Sequence, residues 1–171
     1  MPHSSLEQNL RDTIAFAIKH DGSKKSMMVF DEQSLLSRMI AEGYRAALPD
    51  MVALNFDATA PLDIRAALDA LSPGDLVVLV QTSSFRLNEF RFRLELFNRG
   101  LAVIEHPHLG RMPEEEHDTY IESLAYDPQY YQTVGRTLKA KIDAAKQIIV
   151  SCDGTELVYD GPFESAKLNI G

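Results

Sequence analysis

The chain has 171 residues, 45% of them hydrophobic, with 25 acidic against 17 basic side chains and a net charge of −8. That length suits one domain, or one with a small appendage, and the apolar content is enough for a real core. Bulk acidity argues against non-specific binding to nucleic acid or anionic membranes, no apolar run approaches the ~18 residues of a membrane span, and the single cysteine, Cys152, rules out an internal disulfide and a cysteine-based zinc site.

The N-terminal MPHSSLEQNLRD lacks a basic stretch followed by an apolar one, so it does not read as a secretory signal, and a cytoplasmic location is the expectation. Leu6, Leu10, Ile14 and Ala17 recur at helical spacing and predict a helix over Ser5–His20. DGSKKS breaks that pattern before a short apolar strand, MMVF, at 27–30. Asp31 is a good N-cap for a second helix carrying Leu35, Met39, Ala46 and Ala47, which Pro49 stops. MVALNF (51–56) reads as a strand, and Pro61 sits where a third helix, with Ile64, Leu68 and Leu71, can begin. After the turn SPGD, LVVLV (76–80) is the continuous apolar run of a central strand covered on both faces. A helix from about Phe85 to Arg99 is closed by Gly100, and LAVIE (101–105) follows as a fourth strand.

Strand and helix thus alternate, which predicts a three-layer α/β fold: a mostly parallel sheet with helices on both faces, Rossmann- or flavodoxin-like, over residues 1–146. Beyond it, helices are expected from Pro113 to about Leu124 and from Asp127 to near Lys146. QIIVSC and TELVY then flank Asp153-Gly154, the pair that favours a β-hairpin turn. Residues 147–171 are therefore read as a hairpin plus the start of a following segment. FESAKLNIG carries no capping element, so the expectation is a front portion of a longer protein, whose face around Phe163–Ile170 could pair in a homodimer.

In a doubly wound sheet, the loops after the C-terminal ends of the strands form the ligand crevice. Thr82, Ser83, Ser84 and Arg86 follow the most apolar strand, and their hydroxyls, backbone N–H groups and guanidinium suit a carboxylate or phosphate. Capping of the following helix explains the serines more simply. His106 and His108 follow LAVIE and share that edge. His108, Glu114 and His117 are weak candidates for metal ligands: Glu114 and His117 have helical spacing, but no second histidine follows at the right interval. Pro113 with acids in the first helical turn is accounted for by the missing N–H and the helix dipole. Arg86, Arg91, Arg93 and Arg99 interleave with Phe85, Phe90, Phe92 and Phe97; they could hold an acidic partner or RNA, but Phe90, Leu94 and Phe97 have the spacing of an inner helix face. There is no Gly-rich phosphate loop, no Gly-x-Ser-x-Gly elbow, and nothing beside Cys152 that would activate it.

From Gly74 onward the order GDLVVLVQTSS, RLNEFRFRLELFNRG, LAVIEHP, RMPEEE, a long helix from Asp127 and the hairpin QIIVSCDGTELVYD resembles the N-terminal domain of the thermophilic metalloprotease family, the aminopeptidase T and aminopeptidase S type leucyl aminopeptidases. GTEL (154–157) stands where that family has a GTDL-like strand; EHPHLGRM is richer in histidine than the corresponding loop. The resemblance implies a hydrolase whose two divalent metals, zinc, cobalt or iron, are held by a C-terminal domain that this segment does not include. It implies no cofactor and no catalytic residue here, only a wall of the cavity that takes a peptide or small-molecule substrate. A stand-alone module binding a small anion, and part of an iron-dependent dihydroxypyridine dioxygenase-like enzyme, are the alternatives.

Overall fold

The computed structural model describes residues 5–85 and 92–168. The chain divides into two compact units, Met1–Tyr126 and Asp127–Gly171. The boundary expected after Lys146 lies within the second of them. Arg86, Phe90, Arg91 and Ile170 lie outside the described residues.

The first unit is built on four parallel strands, β1 (Ser26–Phe30), β2 (Val52–Asn55), β3 (Leu76–Val80) and β4 (Ala102–His106), in the order β2-β1-β3-β4. Around them run α1 (Leu6–Asp12), continued by a π-helical turn at Thr13–Ala17, then α2 (Leu35–Ala47), α3 (Pro61–Asp69), α4 (Phe92–Asn98) and α5 (His117–Ser123). β3 is buried along its whole length, as a strand covered on both faces must be. In-register pairing sets Met27 beside Val77 and Met28 beside Val78, so alternate side chains of both strands feed the same layer.

One layer packs Met28, Phe30, Leu76, Val78 and Val80 against Leu10, Ile14, Leu36, Ile40 and Tyr44 of the first two helices, with Tyr120 and Ile121 of α5 alongside. The other packs Met27, Val29, Val77 and Leu79 against Ile64 and Leu68 of α3 and Leu96 of α4. This division follows from chain handedness. The β1–β2 crossover runs one way across the sheet, while β2–β3 and β3–β4 run the other, so right-handed connections put α2 on one face and α3 and α4 on the opposite one.

Two local expectations change. Asp31 does not cap α2: Ser34 does, accepting from Ser37 N while the Ser37 hydroxyl accepts from Ser34 N. The Asp31 carboxylate is drawn instead across the sheet edge. In α4 Leu96 is buried, whereas Leu94 is 50% and Phe97 is 70% exposed. The packing register is set by Leu96 meeting the layer of Val77, Leu79 and Leu101.

The opposite end of the sheet is pinned by Asp75, buried at the start of β3. Its two oxygens accept from Ser72 N at 2.8 Å and Lys25 N at 3.0 Å, and these bonds hold the carboxyl below its ordinary 3.8. Asp75→Ala orphans both amides and is expected to cost about 2 kcal/mol in urea unfolding at pH 7, a cost that shrinks as pH falls from the ordinary 3.8 through the lower folded-state pKa. A cost under about 0.5 kcal/mol would deny the pin.

The second unit comprises α6 (Pro128–Asp143), capped by Asp127, and the antiparallel hairpin of β5 (Gln147–Cys152) and β6 (Thr155–Asp160). Asp153 and Gly154 have φ of 42° and 79°, the left-handed pair that a two-residue hairpin turn requires. Lys139 donates to Asp143 and to the Ala166 carbonyl, tying α6 to the segment after the hairpin. None of the described residues of this unit is buried.

Candidate functional site

Where β2–β1–β3–β4 changes direction, β1 and β3 are neighbours, and the loops at their C-terminal ends lie between oppositely directed crossovers, the place where open α/β sheets take ligands. The polar residues at this edge form a floor whose donors and acceptors are matched to one another.

Asp31, one residue past β1 and 1% exposed, accepts from Thr82 N at 2.7 Å, from the Thr82 hydroxyl at 2.5 Å and from Gln33 N at 3.3 Å. The Thr82 hydroxyl also lies 3.2 Å from Ser34 Oγ and 3.0 Å from Ser37 Oγ. Gln81, one residue past β3, accepts from Phe85 N at 2.8 Å and donates to Glu105 at 3.0 Å, and Glu105 takes a further bond from Arg93 at 3.0 Å. Gln33 donates to both oxygens of Asp57, and the Phe56 and Phe85 rings stack at 4.2 Å. The loops after β1, β2 and β3 are thereby fixed to one another.

His106 ends β4 and turns into the core, 4% exposed. Its Nε2 lies 2.8 Å from the Tyr44 hydroxyl and its Nδ1 2.7 Å from that of Tyr120. In a neutral ring one nitrogen accepts and the other donates, so the two hydroxyls satisfy it fully. Burial pushes His106 down to about 4, Tyr120 up to about 12, and Tyr44 well above its ordinary 10.

The rim is different. His108 has a left-handed backbone, φ 59° and ψ 32°, which costs a non-glycine residue on the order of 1 kcal/mol. The next two residues hold it there: Leu109 N donates to the Gln81 carbonyl at 2.9 Å and Gly110 N to the Thr82 carbonyl at 3.1 Å. Gly110 lies so close that a Cβ would sit 2.6 Å from Thr82 Cγ2, so only glycine fits. The result brings His108 Nε2 to 3.3 Å from the hydroxyl of Ser84 on the β3 loop.

Of the sequence candidates, then, Thr82, Ser83, Ser84, His106 and His108 share one edge, where Ser83 and Ser84 are exposed, Thr82 and His108 half-buried and His106 buried. Thr82 gives its N–H and its hydroxyl to Asp31, so an anion held by Thr82 itself would have to displace a carboxylate. Arg86 lies outside the described residues. His117 is buried and donates Nε2–H to the Met112 carbonyl at 3.3 Å, whereas Glu114 is exposed. Among the described residues no group of three or more His, Cys, Asp or Glu could hold a metal ion. Asp31, Gln81, Tyr44 and Tyr120 went unrecognised in sequence. The available signal was position: Asp31 and Gln81 are polar residues placed immediately after continuous apolar strands.

No helix among the described residues is long and apolar enough to cross a membrane. The chain matches no family model, no curated protein and no solved structure.

Proposed function

We propose that the first unit is a substrate-binding wall: an α/β domain that presents a peptide or small polar molecule to a hydrolytic site of the aminopeptidase type. One observation carries the reading. The C-terminal sheet edge combines a hydrogen-bonded polar floor with two rim groups, the exposed Ser84 and the half-buried His108, the latter held by a left-handed backbone. Preorganised polar groups on rigid strand ends are what a ligand site requires, because ordering them at the moment of binding would subtract from affinity. The order of elements from Gly74 onward supports the hydrolase class. Metal ligands, in this reading, belong to residues outside this segment, and no step of binding runs through them.

Calorimetric titration with leucyl-glycine tests it. Binding with a Kd of about 1 mM or tighter is expected. Gly110→Ala should weaken binding by roughly tenfold or more, because the added methyl forces the His108 loop away from Thr82. Absence of heat at about 10 mM peptide, or an unchanged Kd in Gly110→Ala, would contradict the proposal.

A further inference from the structure

We infer that Ser84 and His108 form a nucleophile–base pair for acyl transfer, acting on esters or activated amides of small acyl groups. The inference rests on reading this edge as the substrate-facing crevice, and goes beyond it by assigning the wall a chemical step of its own.

The geometry has three parts. Ser84 Oγ lies 3.3 Å from His108 Nε2, a distance that tightens to ordinary hydrogen-bond length with a small side-chain rotation and suits proton transfer. The two residues sit on loops after adjacent strands, and the side chain of Ser84 is exposed, so an acyl group can reach its oxygen. Finally, the N–H groups of Ser83 and Ser84 meet no acceptor among the described residues, whereas the flanking N–H groups of Thr82 and Phe85 are taken by Asp31 and Gln81. Two donors with no acceptor among the described residues, beside a nucleophile, suit a developing oxyanion.

For the step to run, Nε2 must be the unprotonated ring nitrogen, with Nδ1 carrying the proton. Ser84 Oγ then bonds the carbonyl carbon as its proton passes to Nε2, and the carbonyl electron pair moves onto oxygen. When that pair returns, the bond to the leaving alcohol or amine breaks and the departing oxygen or nitrogen takes the proton from His108. Water repeats the sequence on the acyl-serine, releasing the acid and restoring the hydroxyl. No metal, oxidant or reductant enters. The left-handed backbone of His108 is the feature that aims its ring at Ser84, and Gly110 is what lets the loop close on Thr82.

A fluorophosphonate probe tests the pair directly. Ser84 Oγ would displace fluoride from phosphorus, leaving a stable adduct. In EDTA, the wild-type chain is expected to take up one adduct, mapped by mass spectrometry to Ser84. Ser84→Ala should take up none. His108→Asn, which tolerates the left-handed backbone but has no imidazole, should label at least roughly tenfold more slowly. No adduct on the wild type, an adduct elsewhere, or unchanged labelling of either variant would overturn the inference. Leucyl-glycine binding without labelling would remove the pair and leave the wall. Labelling without peptide binding would keep the pair and remove the peptide as substrate.

Discussion

Lowering the pH from 6.5 to about 4 is expected to cost the fold about 3 kcal/mol through His106 alone. The sign follows from where the proton goes. Above pH 6.5 the ring is neutral in folded and unfolded chains alike, and its burial between Tyr44 and Tyr120 carries no ionisation cost. Below 6.5 the unfolded chain takes the proton first, because the buried ring resists it until about pH 4. Stability therefore drains away between those limits and the loss levels off below them. The tyrosines act at the other end: burial raises both, so the unfolded chain ionises first above pH 10 and stability falls again there. Urea midpoints across pH 4 to 11 should show a plateau between the two falls. His106→Gln keeps a donor and an acceptor in the same place without the titration, and should flatten the acid limb above pH 4. An acid limb as steep in His106→Gln as in the wild type would show that other groups produce it.

Asp31→Ala is expected to destabilise the protein by about 3 kcal/mol, more than any single change on the rim. The carboxylate accepts three hydrogen bonds, and the two from Thr82 link the ends of β1 and β3, while the third, from Gln33 N, holds its own loop. Removing it leaves the Thr82 N–H without an acceptor in a part-buried setting. The Thr82 hydroxyl can turn to Ser34 or Ser37, which limits the loss. Asp31→Asn should cost less, because the amide oxygen still accepts from one donor, though its NH2 meets the other donor unfavourably. Both variants should also loosen the loop carrying Ser84 and weaken peptide binding. A urea midpoint for Asp31→Ala indistinguishable from the wild type would mean that this link does not hold the two strand ends together.

The strands of this fold were legible because each is an apolar run between polar breaks: 27–30, 51–56, 76–80 and 101–105 each fall within about a residue of β1 to β4. Pro61 at the start of α3 and Asp153-Gly154 in the hairpin were legible for an equally local reason, a fixed backbone angle. What stayed hidden depends on partners far away in the chain. His106 stands at the end of an apolar strand, and nothing in its neighbourhood signals that Tyr44, 62 positions earlier, accepts it into the core. Asp31 followed by Ser34 offers two plausible caps. Only the approach of Thr82, 51 positions on, decides that the aspartate leaves the helix to the serine. Strand order likewise lies outside any local pattern. The site was legible to the level of an edge: Thr82, Ser83, Ser84, His106 and His108 were placed on it, but which of them face inward was not. Period-based reading failed in α4, where Leu94 and Phe97 matched a helical stripe while the sheet met Leu96.

The most direct measurement is a residue-resolved amide shift map of the 15N-labelled chain titrated with leucyl-glycine. Saturating shifts should cluster at Gln33, Thr82 to Ser84 and His108 to Arg111, the ends of the loops after β1, β3 and β4. Shifts confined to the α6 and hairpin residues, or none at all, would contradict a ligand crevice at the C-terminal edge of the sheet.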